Sequence, residues 1–194
     1  TSQPYHGQLA FILCLAFGTA VVLAHTYRGA MAQAISLKVQ TDKLAALAKE
    51  TGATTHACNA ADPREVAALF EALDAKGRTP DVVVYNASNR VRGPLVDLSP
   101  DDVKRAIEIS AFGAFLVSQQ AAKQMLPHNH GAILLSGATA GVKGFALSAT
   151  FAMGKFALRG LAQSMAHELS PKGIHVAHFV IDGGIRSATR PVPA

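Results

Sequence analysis

From Ile35 to Ile181 the chain alternates short β-prone runs with longer helical stretches, and no hairpin signal separates one strand from the next. Strands separated by helices run parallel and are joined by crossovers, so the alternation predicts one open sheet covered on both faces. The expected fold class is α/β, a doubly wound parallel sheet.

The punctuation of each helix supports this order. After the β-prone run Ile35–Val39, Thr41 caps a helical stretch that stops at Gly52, and Ala53–Ala57 reads as a further strand. Asp62-Pro63-Arg64-Glu65 has an N-cap acid, a proline at the first helical position and a glutamate three residues after the cap. Val66, Leu69, Phe70 and Leu73 then recur at helical spacing and define one apolar face. The unbroken run Val82–Tyr85 reads as a strand buried on both faces. Ser99-Pro100-Asp101-Asp102 repeats the capping pattern ahead of a long helix to Met125, which Pro127 halts. Ala132–Leu135 is a strand, Phe151–Leu169 a helix with its exit at Lys172-Gly173, and Ile174–Ile181 the last strand.

Length and composition bound the rest. With 194 residues, 49% hydrophobic and 16% charged, the chain suits one domain, 1–194, with a full core. The formal charge of +5 suits an anionic ligand, yet Lys and Arg are scattered singly, and a nucleic-acid face would concentrate them. Cys14 and Cys58 form neither a metal-ligand spacing nor a disulfide framework, so no metal and a reducing, cytoplasmic setting are expected. Leu9–Ala24 is uncharged over sixteen residues, shorter than the roughly twenty needed to span a bilayer, and no Lys or Arg precedes it. Burial is the expectation there, with membrane attachment as the alternative.

In an open parallel sheet the ligand lies beyond the carboxyl ends of the strands. The residues at those positions are Asn86-Ala87-Ser88-Asn89, Ser136-Gly137-Ala138-Thr139-Ala140-Gly141 and Asp182-Gly183-Gly184, followed by Arg186, Ser187 and Thr189. They are small, flexible or hydroxyl-bearing, and together they predict a cleft. Lys155, one helical turn after Phe151, is placed either to set an ammonium beside a bound ribose or phosphate, or to lie on the surface with its stem packed and its head in water.

From about Asp42 to Ser187 these motifs resemble the short-chain dehydrogenase/reductase family. The segments GAILLSGATAG and FAMGKFALRGLAQSMAHELSPKGIHVAHFVIDGG carry the likeness, corresponding to that family's catalytic strand, catalytic helix and final cofactor loop. The resemblance implies a Rossmann-like fold, NAD or NADP as cofactor, and hydride transfer at a carbonyl or alcohol carbon of a small substrate. It places the family's Tyr-x-x-x-Lys on Phe151 to Lys155, so the lysine is kept and the phenolic acid/base is not. The catalytic serine falls on Ala138, with Thr139 and Ser136 as neighbouring hydroxyls, and the asparagine that supports the lysine falls on Ser110. For the cofactor, the resemblance implies Asn86, Ala87 and Ser88 at one strand end, Asn59 at the adenine, Lys155 at the ribose, and Gly183 and Ser187 after the last strand.

Departures cluster at the start. The glycine-rich phosphate turn falls at about Cys14–Ala20, where Gly18 is the only glycine, and residues 1–40 diverge as a whole. The likeness also stops soon after Ser187, before the family's usual substrate loop, last helix and seventh strand. Two functions therefore compete: an NAD(P)-dependent oxidoreductase with impaired or relocated acid/base chemistry, and a non-catalytic subunit or scaffold. Lys38 leans the cofactor towards NADP, since an ammonium suits a 2′-phosphate. The family's packing implies a homodimer or tetramer through the helices at 103–125 and 151–169.

Overall fold

A computed structural model describes residues 42–183. The chain divides at Ala57/Cys58 into two compact units. In the first, residues 42–51 form helix α1, and Gly52 ends it at φ +71°, its N–H donating to the Ala48 carbonyl at 2.9 Å. Residues 53–57, expected as a strand, are in no strand among the described residues, and the run at 35–39 lies outside them.

The second unit follows the strand–helix alternation. Its elements are α2 (Pro63–Asp74), β1 (Val82–Tyr85), α3 (Pro100–Ile107), α4 (Gly113–Met125), β2 (Gly131–Ser136), α5 (Ala149–Leu169) and β3 (Ile174–Phe179). The strands pair in parallel in the order β1-β2-β3, with Val83 opposite Ile133 and Ile133 opposite Val176. The last strand ends at Phe179, two residues earlier than Ile181, so Val180 to Gly183 are free to fold over the strand ends. Ile133 and Leu135 on the central strand are fully buried, with Val66, Ala114, Met125, Leu158 and Ile174 around them.

Val82–Tyr85 is not buried on both faces. Val82 and Val84 are exposed, while Tyr85 is buried. Each strand sends successive side chains to opposite faces, and β1 is the edge of the described sheet, so its two faces have different cover.

Capping chemistry explains where α2 starts. The Asp62 carboxylate accepts from the Arg64 N–H at 2.8 Å and the Glu65 N–H at 3.4 Å, and these bonds hold its pKa below the ordinary carboxylate value. Glu65 reaches past the cap and accepts from the Asn59 N–H at 2.7 Å. Ser99, by contrast, offers no side-chain cap to α3, although Pro100 occupies the first helical turn as expected.

The long helix to Met125 is not continuous. A π-helical turn, Glu108–Phe112, separates α3 from α4. The Ile109 carbonyl there accepts from the buried Tyr85 hydroxyl, whose pKa desolvation pushes up to about 12. Gly113 makes this approach possible, because a Cβ at 113 would overlap Tyr85 Oη and lie 2.8 Å from the Ala60 carbonyl. The π turn thus ties the end of β1 to the helical layer.

At the other end of the sheet, Gly173 closes the α5–β3 connection at φ +80°, and a Cβ there would overlap the Asn129 carbonyl just before β2. Gly173→Ala combines left-handed strain with a backbone clash and is expected to cost about 2 kcal/mol or more. Urea unfolding of the two proteins measures this. An unchanged midpoint would mean that the connection relaxes freely.

Candidate active site

The three strand ends converge on one cleft of about 450 Å³. Asn86 and Ser88 come from the end of β1, Ser136 to Ala140 from the end of β2, and Ile181 to Gly183 from beyond β3. Phe151 and Lys155 enter from the start of α5, one turn apart.

Lys155 is only 4% exposed, so the surface-lysine reading fails. Its Nζ donates to the Ser136 carbonyl at 2.7 Å, and burial lowers its pKa from the ordinary 10.5. An ammonium has three donor protons, and one is used here. Among the described residues no group accepts the other two, which face the cleft. Ser136 therefore serves this lysine through its backbone.

Thr139 is also engaged. Its hydroxyl donates to Asp182 Oδ1, and its N–H donates to the Ile181 carbonyl at 3.2 Å. These bonds stitch the end of β2 to the segment after β3 and orient the Asp182 carboxylate beside the cleft. Gly183 follows at φ +124°, a conformation that L side chains rarely adopt. Gly137 has a packing reason to be glycine: a Cβ there would overlap His178 Nε2 and lie 2.6 Å from the Phe179 carbonyl. His178 Nε2 is buried without a hydrogen-bond partner, and the His178 pKa is lowered, chiefly by desolvation and then by Arg159 and Lys155.

The other sequence-derived residues have different places. Ser110 lies in the π turn, 2% exposed, and its hydroxyl accepts from the Asn89 N–H at 3.2 Å. It also fills the space above Gly154, where a Cβ would come within 2.8 Å of Ser110 Cβ, so α5 and the π turn pack tightly. Asn59 lies in the turn before α2, where its side chain accepts from the Ala61 N–H at 3.1 Å, and it does not line the cleft. Ala87 is exposed between two lining residues. Ser187, Lys38, Arg186, Thr189, the turn at 14–20 and the apolar stretch at 9–24 lie outside the described residues. Among the described residues no helix is long and apolar enough to cross a membrane, and no group of three or more His, Cys, Asp or Glu gathers to hold a metal.

The loop after β1 holds what sequence reasoning missed. Val91 exchanges two hydrogen bonds with Thr150, donating its N–H at 3.3 Å and accepting the Thr150 hydroxyl at 2.7 Å. The Gly93 N–H donates to the Leu147 carbonyl at 3.3 Å, and Leu147 adopts φ +59°, a conformation that costs a side chain with a Cβ about 1 kcal/mol or more. Arg90, in the same loop, places its guanidinium 5.0 Å from the Phe151 ring centroid and donates from Nη2 to Ser148 Oγ at 3.4 Å. A Ser-Ala-Thr run at a helix start is the local signal for such anchoring. Nothing in the sequence pairs it with residues nearly sixty positions earlier.

Among the described residues, a parallel three-stranded core with a cleft beyond its carboxyl ends, a buried lysine and a glycine-bearing final loop is the arrangement of an open α/β fold. The family model described as Enoyl-(Acyl carrier protein) reductase matches residues 15–190. The chain belongs to the short-chain dehydrogenase/reductase family. It is 34% identical over 146 residues to the cyclic-di-GMP-binding biofilm dispersal mediator protein of Escherichia coli K12, covering 75% of this chain and 59% of that one. A short-chain dehydrogenase structure from Rhodopseudomonas palustris superposes with TM-score 0.68 at 35% identity, covering 72% of this chain and 68% of that one. ElxO, solved with a tyrosine-to-phenylalanine substitution and NADPH bound, superposes with TM-score 0.64 at 27% identity, covering 66% and 52%. The matched region spans 35% to 59% of the length of three curated relatives.

Lys155 makes stability depend on pH with a definite sign. The unfolded chain holds this proton to higher pH than the folded chain, so the lysine subtracts from stability at lower pH. That penalty fades as pH rises through the lowered folded pKa towards 10.5. Lys155→Met removes the titration, so the wild type should gain stability relative to the variant as alkaline pH is approached. Unfolding free energies from urea titrations across that range measure it. Parallel curves would show that the ammonium is not desolvated.

Proposed function

We propose that this protein is an NAD(P)-dependent oxidoreductase whose cleft holds the nicotinamide-ribose half of the cofactor, and whose proton-transfer chemistry is weakened by Phe151. The observation that carries this reading is the Lys155 ammonium: it is buried at the cleft, bonded once to the Ser136 carbonyl and left with two donors. Ribose hydroxyls match those donors. Asn86, Ser88 and the open backbone at Gly183 line the same space, which fits a nicotinamide riboside. The bound cofactor supplies hydride exchange with a carbonyl or alcohol carbon.

The chain's own residues supply orientation more readily than protons. Phe151 has no exchangeable proton at the place where the family has a phenol. The Thr139 proton is committed to Asp182, so that hydroxyl acts as a strut for the Asp182 carboxylate. General acid/base transfer contributes typically 10²–10⁴-fold, so turnover is expected to be slow. That ElxO is solved with NADPH after a tyrosine-to-phenylalanine change supports cofactor binding without the phenol. We favour NADP over NAD, on the sequence position of Lys38.

A second reading, a non-catalytic partner subunit, is favoured by a separate observation. Phe112, Phe115, Met153 and Phe156 are exposed on the helical segments at 103–125 and 151–169. Burying them against a second copy would remove apolar surface from water. Both readings allow a homodimer or a tetramer.

Titration of the full chain with NADPH and NADH, followed by nicotinamide fluorescence, tests the cofactor. Binding of NADPH tighter than NADH is expected, and no binding of either at about millimolar concentration would end this reading. Phe151→Tyr is expected to raise carbonyl reduction by roughly tenfold or more. An unchanged rate in a variant that binds NADPH would favour the non-catalytic alternative. Sedimentation at several protein concentrations tests assembly, and a monomer throughout would remove the dimer.

A further inference from the structure

We propose that Arg90 is the anion-recognising residue of the cleft and selects substrates that carry a carboxylate near the reacting carbon, an oxo acid or hydroxy acid rather than a neutral ketone or alcohol. This deepens the oxidoreductase reading and rests on it for the reaction. The anion site itself stands on its own geometry.

Arg90 lines the cleft with Lys155, opposite no acid that it pairs with. Among the described residues no carboxylate lies within ion-pair distance of its guanidinium. Among the described residues, Asp182 is the one carboxylate lining the cleft, and it accepts the Thr139 hydroxyl. The contacts of Arg90 are neutral: the face of Phe151 at 5.0 Å and Ser148 Oγ at 3.4 Å. Those contacts orient the planar fork, and among the described residues they use one of its five N–H donors.

The backbone that carries Arg90 is anchored. On either side of Arg90, Asn89 is bonded to Ser110, Val91 twice to Thr150, and Gly93 to Leu147. Anchoring of the backbone at its base reduces the conformational freedom that the exposed Arg90 side chain loses on binding. Lys143, with Nζ 5.3 Å from the ring centroid of cleft-lining Phe145, adds positive charge at the rim. Phe145 and Phe151 add aromatic faces to the lining. A planar, bidentate carboxylate is the group that matches such a fork.

Calorimetric titration of the full chain with succinate and with its neutral diamide, succinamide, tests the proposal, with and without NADPH. Succinate is expected to bind and succinamide not. Arg90→Met should weaken succinate by about 10- to 100-fold, the cost of a lost charge-assisted pair. Arg90→Lys should retain part of the binding, because the charge survives without the fork. NADPH affinity should be the same in Arg90→Met as in the wild type. Arg78→Gln, which removes one exposed positive charge after α2, should leave succinate binding unchanged. The proposal is overturned if the wild type binds no succinate at about 20 mM, if Arg78→Gln weakens it equally, or if succinamide binds as well. It is also overturned if Arg90→Met loses NADPH while keeping succinate, since the anion would then be a cofactor phosphate. Failure of the wild type to bind NADPH would remove the oxidoreductase reading, while succinate titration without cofactor still decides the anion site.

Discussion

A buried ammonium bonded to a single backbone carbonyl organises this structure. Taking the Lys155 charge out of water is costly, and the Ser136 carbonyl offsets only part of that. The arrangement holds because α5 cannot slide. Gly154, next to Lys155, packs on Ser110 so closely that no side chain fits between them. The carbonyl of Lys155 itself lies against Gly141, where an added Cβ would be 3.0 Å away. Both glycines act through what they leave out: the helix approaches the π turn on one side and the end of β2 on the other.

The same logic joins the π turn to the sheet. Interrupting the regular helix leaves the Ile109 carbonyl available, and the Tyr85 hydroxyl at the end of β1 takes it. Ser110, one residue on, holds the Asn89 N–H and so fixes the start of the loop that carries Arg90. The break in the helix is thus a junction between the strand end, the loop and α5, rather than a packing defect. Its cost in helix regularity is repaid by three placements at once.

Phe151 gives the cleft an aromatic wall without an exchangeable proton. The ring stands at the start of α5 with cations beside it, Arg90 at 5.0 Å and Lys155 at 5.6 Å. An aromatic face attracts both through its quadrupole, which is a positional role and not a proton-transfer role. The cleft therefore keeps two oriented cations around an inert wall, with Asp182 anchored through Thr139 on its far loop.

Most of the fold was legible in the chain. The Asp62-Pro63 start, the Gly52 and Gly173 exits and the apolar run Ala132–Leu135 each carry their own local physics, in capping geometry, left-handed φ and β-branched or aliphatic burial. So does the position of Lys155 one turn after Phe151. The tertiary structure decided what depends on distant partners. It opened a π turn inside the helix at 103–125, gave the Thr139 hydroxyl to Asp182, and set Asn59 to work at the start of α2. It also brought Arg90 to Ser148 and Phe151. Local sequence specifies a conformation through bonds a few residues long, whereas a side chain's role in the cleft depends on which remote backbone or acid reaches it first.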